Sequence, residues 1–250
     1  MKAPTPKRIP LSPKSGQMPP LPRLDARLCA ALPFVRGGTV ADVGTDHAYL
    51  SLILLRTGAC RFAVATDIHL PPAHRAADTL SRYGIGDGQA AVLCTDGLRG
   101  CEDYRPTDIL IFGMGGEMII HILRDAPWVR DPSVRLILQP MTRQAELREY
   151  LAANGFGIVD ENVVKTDRPY QIICAEYDGN LRTLSPIGAL LGQINLDRRD
   201  AIILELAKRQ LDILTVARQG KQKGAAPDTA CEDILIAALT DYLNPPQSAD

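Results

Sequence analysis

Four aspartates are the first residues in this sequence with the types and spacing for chemistry. Asp42 and Asp46 lie in "TVADVGTDHAYLSL", Asp67 in "ATDIH" and Asp96 in "CTDGL". In the first stretch an apolar run stops at Gly44 and passes through Thr45, Asp46 and His47. Apolar residues resume at helical spacing with Tyr49, Leu50, Ile53 and Leu54. The pattern reads as strand, tight turn, helix. A dinucleotide-binding turn keeps bare glycines at the second and third positions of Gly-x-Gly-x-x-Gly, so that backbone can approach a pyrophosphate. Here those positions are Asp46 and Tyr49. A carboxylate repels phosphate and suits a cationic ligand that has none. Asp46 can also serve simply as a helix cap, which does not exclude ligand contact, and a lone His47 is more often a surface or capping residue than a catalyst.

S-adenosylmethionine is a ligand of that kind, with a sulfonium and an ammonium group. Its methionine part can sit against Asp42 and the Gly44–Thr45 turn. Asp67 and Ile68 follow the second apolar run, 21 residues after Asp46, where a carboxylate can hold a ribose diol. Asp96 can accept a hydrogen bond from an adenine amino group, with Gly97 and Leu98 against the ring. In "IFGMGGEM", Gly113, Met114, Gly115 and Gly116 leave backbone bare where a methyl group must meet its acceptor. A glycine turn needed only for packing has the same look. The Asn/Asp-Pro-Pro-aromatic motif of adenine-N6 and similar amino methyltransferases is missing.

The elements that must position these residues alternate. Strands are expected at 39–43, 61–66, 90–94, 107–112 and 134–138. Helices are expected at 47–57, 72–83, 116–124 and 142–153, with a leading helix at 24–35. "FGIVDENVV" and "YQIICAEY" leave no room for a helix between them and read as an antiparallel pair. This order predicts an α/β fold: a Rossmann-like, mostly parallel, seven-stranded sheet of the class I methyltransferase type. Past residue 181 the apolar spacing becomes helical, breaks over 221–228 and restarts, as in an appended helical hairpin. The expected division is a flexible, proline-rich basic arm over 1–22, a methyltransferase domain over 23–180 and a coiled-coil-like helical extension over 181–250.

The net charge of −1 conceals strong segregation: +5 over residues 1–27, −5 over 28–180, +4 over 181–224 and −5 over the last 26. Two basic segments flanking an acidic middle fit a bound polyanion, and also fit solvated helix faces. No apolar run reaches the eighteen residues of a membrane span, and no signal-peptide core is present. The six cysteines form no Cys-x-x-Cys pair, so neither a zinc site nor a disulfide framework is expected. Reduced thiols in a cytoplasmic protein are the simplest account.

Taken in order, "ADVGTDHAYLSLIL", "ATDIH", "DGL", "FGMGGEMI", "LILQP" and "PYQIICAEY" resemble the bacterial tRNA (adenine-22, N1)-methyltransferase family over roughly residues 24–220. The resemblance implies transfer of a methyl group from S-adenosylmethionine to N1 of an adenine in the tRNA D-loop region. It implies a cofactor pocket of Asp42, Gly44, Asp46, Asp67, Asp96, Gly97 and the 113–116 loop, with Asp46 and His47 facing the incoming base. Arg27 in "LDARL" matches a family arginine that can hold the cofactor carboxylate or a tRNA phosphate, or simply lie on the surface. The base must leave its stack. Tyr170 is a candidate to stack on it, or a core residue. Arg198, Arg199, Lys208, Arg209, Arg218, Lys221 and Lys223 are candidates for RNA backbone contacts. Where the family usually has Asn after "LILQP", this chain has Met141 and Thr142, and the arm and acidic tail are not family hallmarks. The partners expected are tRNA, with no metal, no membrane and no obligatory protein. The rival readings are a methyltransferase of another RNA or a small molecule, a non-catalytic RNA-binding module with a relic pocket, and a nicotinamide dehydrogenase.

Overall fold

The computed structural model describes residues 5–14, 16, 18–223 and 228–245. Eight strands form one sheet: β1 (Lys7–Ile9), β2 (Thr39–Val43), β3 (Phe62–Asp67), β4 (Ala90–Cys94), β5 (Asp108–Met114), β6 (Arg135–Pro140), β7 (Phe156–Lys165) and β8 (Pro169–Tyr177). The helices are α1 (Ala26–Cys29), α2 (Tyr49–Arg56), α3 (Leu70–Arg82), α4 (Gly116–Asp125), α5 (Gln144–Ala153), α6 (Pro186–Leu191), α7 (Gln193–Arg198), α8 (Ala201–Gln222) and α9 (Ala230–Leu243).

The strand order is β1-β4-β3-β2-β5-β6-β8-β7. Strands β2 to β6 are parallel, β8 runs antiparallel to β6, and β7 antiparallel to β8. The central strands read as near-continuous apolar runs because both faces are covered. Val40, Ala65, Leu110 and Ile137 point to one face, packed under α2 and α3. Ala41, Val64, Ile109, Ile111 and Leu138 point to the other, under α4 and α5. The order reverses at β2, which pairs with both β3 and β5. The crevice outside the carboxyl ends of β2 and β5 is therefore the place where an open α/β sheet binds its ligand.

Four expectations need correction. The sheet has eight strands rather than seven. Lys7–Ile9, part of the segment expected to be a flexible arm, pairs antiparallel with β4 and buries Ile9 and Leu11. The leading helix is shorter than expected: Pro33 ends it, leaving α1 and a 3-10 turn over Leu32–Phe34. The stretch from 186 to 222 is three helices rather than one. Gly192 (φ +89°) and Arg199 (φ +48°) break it, and the Asp200 carboxylate caps α8 by accepting the N–H groups of Ile202 and Ile203 at 3.1 Å each. Residues 224–227, in the expected break, and 246–250, in the acidic tail, lie outside the described residues.

The extension has its own small core of Leu191, Leu196, Ile203, Leu206 and Leu239, which also takes in Val163 of β7. A polar bolt joins it to the sheet. Arg148 of α5 and Glu161 of β7 are both fully buried and paired at 2.7 Å. Arg148 also donates to Gln171 Oε1 at 2.7 Å and to the Ala189 carbonyl at 3.1 Å, near the C-terminal end of α6. The described cysteines are free thiols, and burial pushes those of Cys60, Cys101 and Cys174 up to about 12.

Candidate cofactor and substrate site

The turn after β2 is held from two sides. The N–H groups of Gly44 and Thr45 both donate to the Thr66 carbonyl of β3, at 2.8 and 3.0 Å. The Ala48 N–H donates to Thr45 Oγ1 at 3.0 Å, and Ala48 itself is left-handed at φ +52°. Gly44 has φ +74°, so the backbone favours glycine there, and a Cβ would also displace the flexible end of the Met114 side chain. Asp42 does not line the site. It is buried beneath the turn, where its carboxylate accepts Ser51 Oγ–H at 2.7 Å and the Ser51 N–H at 3.3 Å. Burial raises its pKa above the ordinary carboxylate value. Asp42 therefore anchors α2 to the strand that carries the turn.

A cavity of about 480 Å³ opens at the carboxyl ends of β2, β3, β4 and β5. Of the residues singled out by sequence, Gly44, Asp67, Ile68, Asp96, Gly97, Gly113 and Met114 line it. Val43, Thr66, His69, Thr95, Phe112, Met118, His121 and Ile122 also line it, and sequence reasoning missed them. Asp67 Oδ1 accepts the His69 N–H at 2.8 Å, which fixes the carboxylate at the strand end. Thr66 Oγ1 donates to the Gly97 carbonyl at 3.0 Å and ties β3 to the loop after β4. Thr95 Oγ1 is buried without a hydrogen-bond partner. Leu98 is buried and lines an adjoining cavity of about 410 Å³ shared with Asp96, Gly97 and His121.

No Lys or Arg lines the larger cavity among the described residues. Two carboxylates, one unpaired hydroxyl and an apolar wall suit a nucleoside with a cationic, phosphate-free tail. Such a wall does not suit a pyrophosphate, so the residues fit S-adenosylmethionine and argue against a nicotinamide dinucleotide. Gly115 and Gly116 serve packing: Gly115 precedes α4, and a Cβ on Gly116 would overlap the Arg143 carbonyl oxygen. The Gly116 N–H donates to the Thr142 carbonyl at 2.8 Å, and Met141 N–H to the Met114 carbonyl at 2.7 Å, so the loops after β5 and β6 are tied together.

Asp46 and His47 lie outside the cavity wall, two and three residues past Gly44, Asp46 exposed and His47 half-buried. Asp46 pairs with Arg75 of α3, whose Nε donates at 3.0 Å, and with His47 Nε2 at 3.3 Å. The Arg75 guanidinium holds the Asp46 carboxyl below the usual range. Sequence offered no signal for Arg75, because the pair crosses from one turn to the next helix. His47 stacks on Tyr49 at 5.2 Å between ring centroids.

The structure does not offer Tyr170 as a free stacking platform. The residue is buried, its hydroxyl donates to Asp167 at 2.9 Å, and the Arg27 and Arg168 guanidinium groups each lie 5.0 Å from its ring. Arg27 is paired with Asp25 at 2.6 Å and donates to Met141 Sδ at 3.6 Å, so it is engaged away from the cavity. In the extension, Arg198 pairs with Asp200 at 2.6 Å, and Arg199 donates to the Tyr242 carbonyl at 2.6 Å. Arg218 pairs with Asp233 at 2.5 Å and Lys221 with Glu232 at 2.7 Å. Lys208 and Arg209 are exposed and make no ion pair with the described residues. Among the described residues no group of three or more His, Cys, Asp or Glu is placed to hold a metal, and no helix is long and apolar enough to cross a membrane.

This strand order with this site defines a class I methyltransferase. A sequence family described as a methyltransferase domain matches residues 24–173. The Bacillus subtilis tRNA (adenine(22)-N(1))-methyltransferase is 30% identical over 198 residues, covering 76% of this chain and 82% of the relative. The crystal structure of the B. subtilis m1A22 tRNA methyltransferase TrmK superposes with a TM-score of 0.73 at 27% identity, over 88% of this chain and 96% of that one. A Streptococcus pneumoniae protein, described as a candidate tRNA (m1A22) methyltransferase in complex with S-adenosyl-L-methionine, gives 0.76 at 27% identity, over 88% of this chain and all of that one. The chain belongs to the tRNA (adenine(22)-N(1))-methyltransferase family.

Proposed function

We infer that this protein methylates N1 of adenine 22 in tRNA, using S-adenosylmethionine, in the cytoplasm where tRNA is used. The observation that carries the reading is the acid-lined cavity, free of Lys and Arg, at the reversal of strand order. Family membership narrows the methyl acceptor to tRNA.

In this reading Asp67 takes the ribose hydroxyls, Asp96 and the Thr95 hydroxyl meet the adenine edge, and Gly97 and Ile68 flank its ring. Asp42 and Thr45 act through the turn: they hold Gly44 so that backbone, not side chain, faces the methionine part. S-adenosylmethionine bound there supplies an electrophilic methyl group, which the in-plane lone pair of adenine N1 can take without prior loss of a proton. The protein is therefore asked for positioning and for negative charge beside a ring that becomes cationic, rather than for a base. Asp46 is the group for that charge. Its exposure and its pairing with Arg75 and His47 keep it ionised at the rim. Gly113 and Met114 set the floor on which the acceptor approaches, coupled through Met141 to the loop after β6.

A titration and a transfer assay test this reading. The pure protein is titrated calorimetrically with S-adenosylmethionine, then given labelled cofactor with unmodified tRNA or with free adenosine. Label entering tRNA alone supports the reading. Label entering free adenosine, or binding without transfer to either, contradicts it.

A further inference from the structure

A second groove, of about 260 Å³, runs from the loop after β6 to the face of α8. Its walls bring Met141 and Thr142 together with Arg168 of the β7–β8 turn and Arg209 of α8, beside Leu206 and Ile213 of the same helix. Met141 sits one hydrogen bond from Met114, which lines the cofactor cavity. The groove therefore begins beside the loop that lines the cofactor cavity and ends on the extension.

The charges in it are uneven. Arg143, at the near end, is paired with Glu146 at 2.8 Å and lies 3.6 Å from Glu117. Arg168 lies over the Tyr170 ring, and Arg209 is exposed. Neither makes an ion pair with the described residues. Among the described residues these two guanidinium groups have no carboxylate within ion-pair distance, although the charges of Arg168 and its neighbour Asp167 act on each other; beside a reaction centre that must receive one extruded nucleotide, they match a strand of phosphodiester.

Resting on the tRNA methyltransferase reading, we propose that this groove holds the RNA backbone next to the target adenosine, with Arg168 and Arg209 as phosphate contacts. Tyr170 then works as the support that holds the Arg168 plane rather than as a base-stacking residue. The Arg148–Glu161 bolt fixes α6 to the sheet, and Ile203 and Leu206 of α8 pack in one core with Leu191 of α6 and Val163 of β7, which makes the spacing of the two arginines a property of the fold.

The test uses the full-length protein with an unmodified tRNA transcript and compares Arg168→Gln, Arg209→Gln, the double variant and Arg168→Lys. Wild-type transfer of methyl to the transcript is measured first, because its absence overturns the methyltransferase reading and this inference with it. Given transfer, tRNA affinity is measured across a salt series. The double variant is expected to lose tRNA affinity about tenfold or more, and to flatten the plot of log affinity against log salt by about 1 per arginine. Affinity for S-adenosylhomocysteine is expected to stay unchanged, and Arg168→Lys to keep the wild-type slope. A double variant with wild-type affinity and slope overturns the groove while leaving the methyltransferase reading intact. So does an Arg168→Lys variant that behaves like Arg168→Gln, since the arginine would then only support Tyr170.

Discussion

The two carboxylate–guanidinium pairs that frame this molecule work in opposite surroundings. At the rim of the site, Asp46 and Arg75 keep 58% and 47% of their side chains exposed. At the joint with the extension, Arg148 and Glu161 keep none. Water screens the first pair and can replace either partner, so opening it costs little and its charge can be turned toward a substrate. The second pair has lost its water: the Glu161 carboxylate depends on Arg148, and Arg148 depends on Glu161 and on carbonyls near the end of α6. The same chemistry is an exchangeable charge in one region and a fixed strut in the other. A methyltransferase for a large RNA needs both: a rim that yields to an incoming base, and an extension that does not drift relative to it.

The largest effect should follow from breaking the strut. Arg148→Ala leaves Glu161 buried without its cation, and unfolding in urea should show a loss of about 3–5 kcal/mol. Replacing both partners, with Arg148→Met and Glu161→Leu, should recover most of it. A single variant as stable as wild type would remove the strut. Next comes Asp46→Ala, expected to lower kcat about 100-fold, ~2.7 kcal/mol of barrier. Calorimetry with S-adenosylhomocysteine should change by less than ~3-fold, since Asp46 lies outside the cavity wall. Equal losses in turnover and binding would make Asp46 part of the pocket structure instead.

Gly44→Ala should cost about 1–2 kcal/mol, because alanine resists φ +74° and meets Met114. Cofactor affinity should fall with it, whereas unchanged affinity would detach the turn from binding. The smallest effect on stability is expected for Arg75→Gln, below ~1 kcal/mol for so exposed a pair. Its pH signature is more telling. Arg75 lowers the Asp46 pKa. Whatever stability Asp46 contributes is present above its unfolded pKa and lost as pH falls through the lower folded one. Without Arg75 the pKa returns toward the ordinary carboxylate value, so the acid limb of kcat should move to higher pH. A limb that stays in place would mean that Asp46 ionisation does not govern the rate.

The parallel core was legible because buried central strands are written as unbroken apolar runs such as "ILIF" and "LIL". Strand β1 was not, since Lys7 and Arg8 show no alternation and the strand owes its place to an open edge on β4. The breaks before α8 were hidden for a related reason. Gly192 is required where Glu161 crowds it, and Arg199 takes a left-handed conformation without a glycine to mark it. In the site, Asp67 and Asp96 were legible because topology puts strand ends on one edge. Asp42 belongs to the same pattern but points into the core, to Ser51, which spacing alone does not distinguish. Arg75 and Arg168 could not be found from sequence, because their meaning lies in side chains that approach from other elements.

The most direct test of the central claim is nucleoside mass spectrometry of a tRNA transcript incubated with the protein and S-adenosylmethionine, together with a second transcript carrying guanosine at position 22. New 1-methyladenosine in the first and none in the second is the predicted result. Methylation of both, a different methylated nucleoside, or none in either while the cofactor still binds would contradict it.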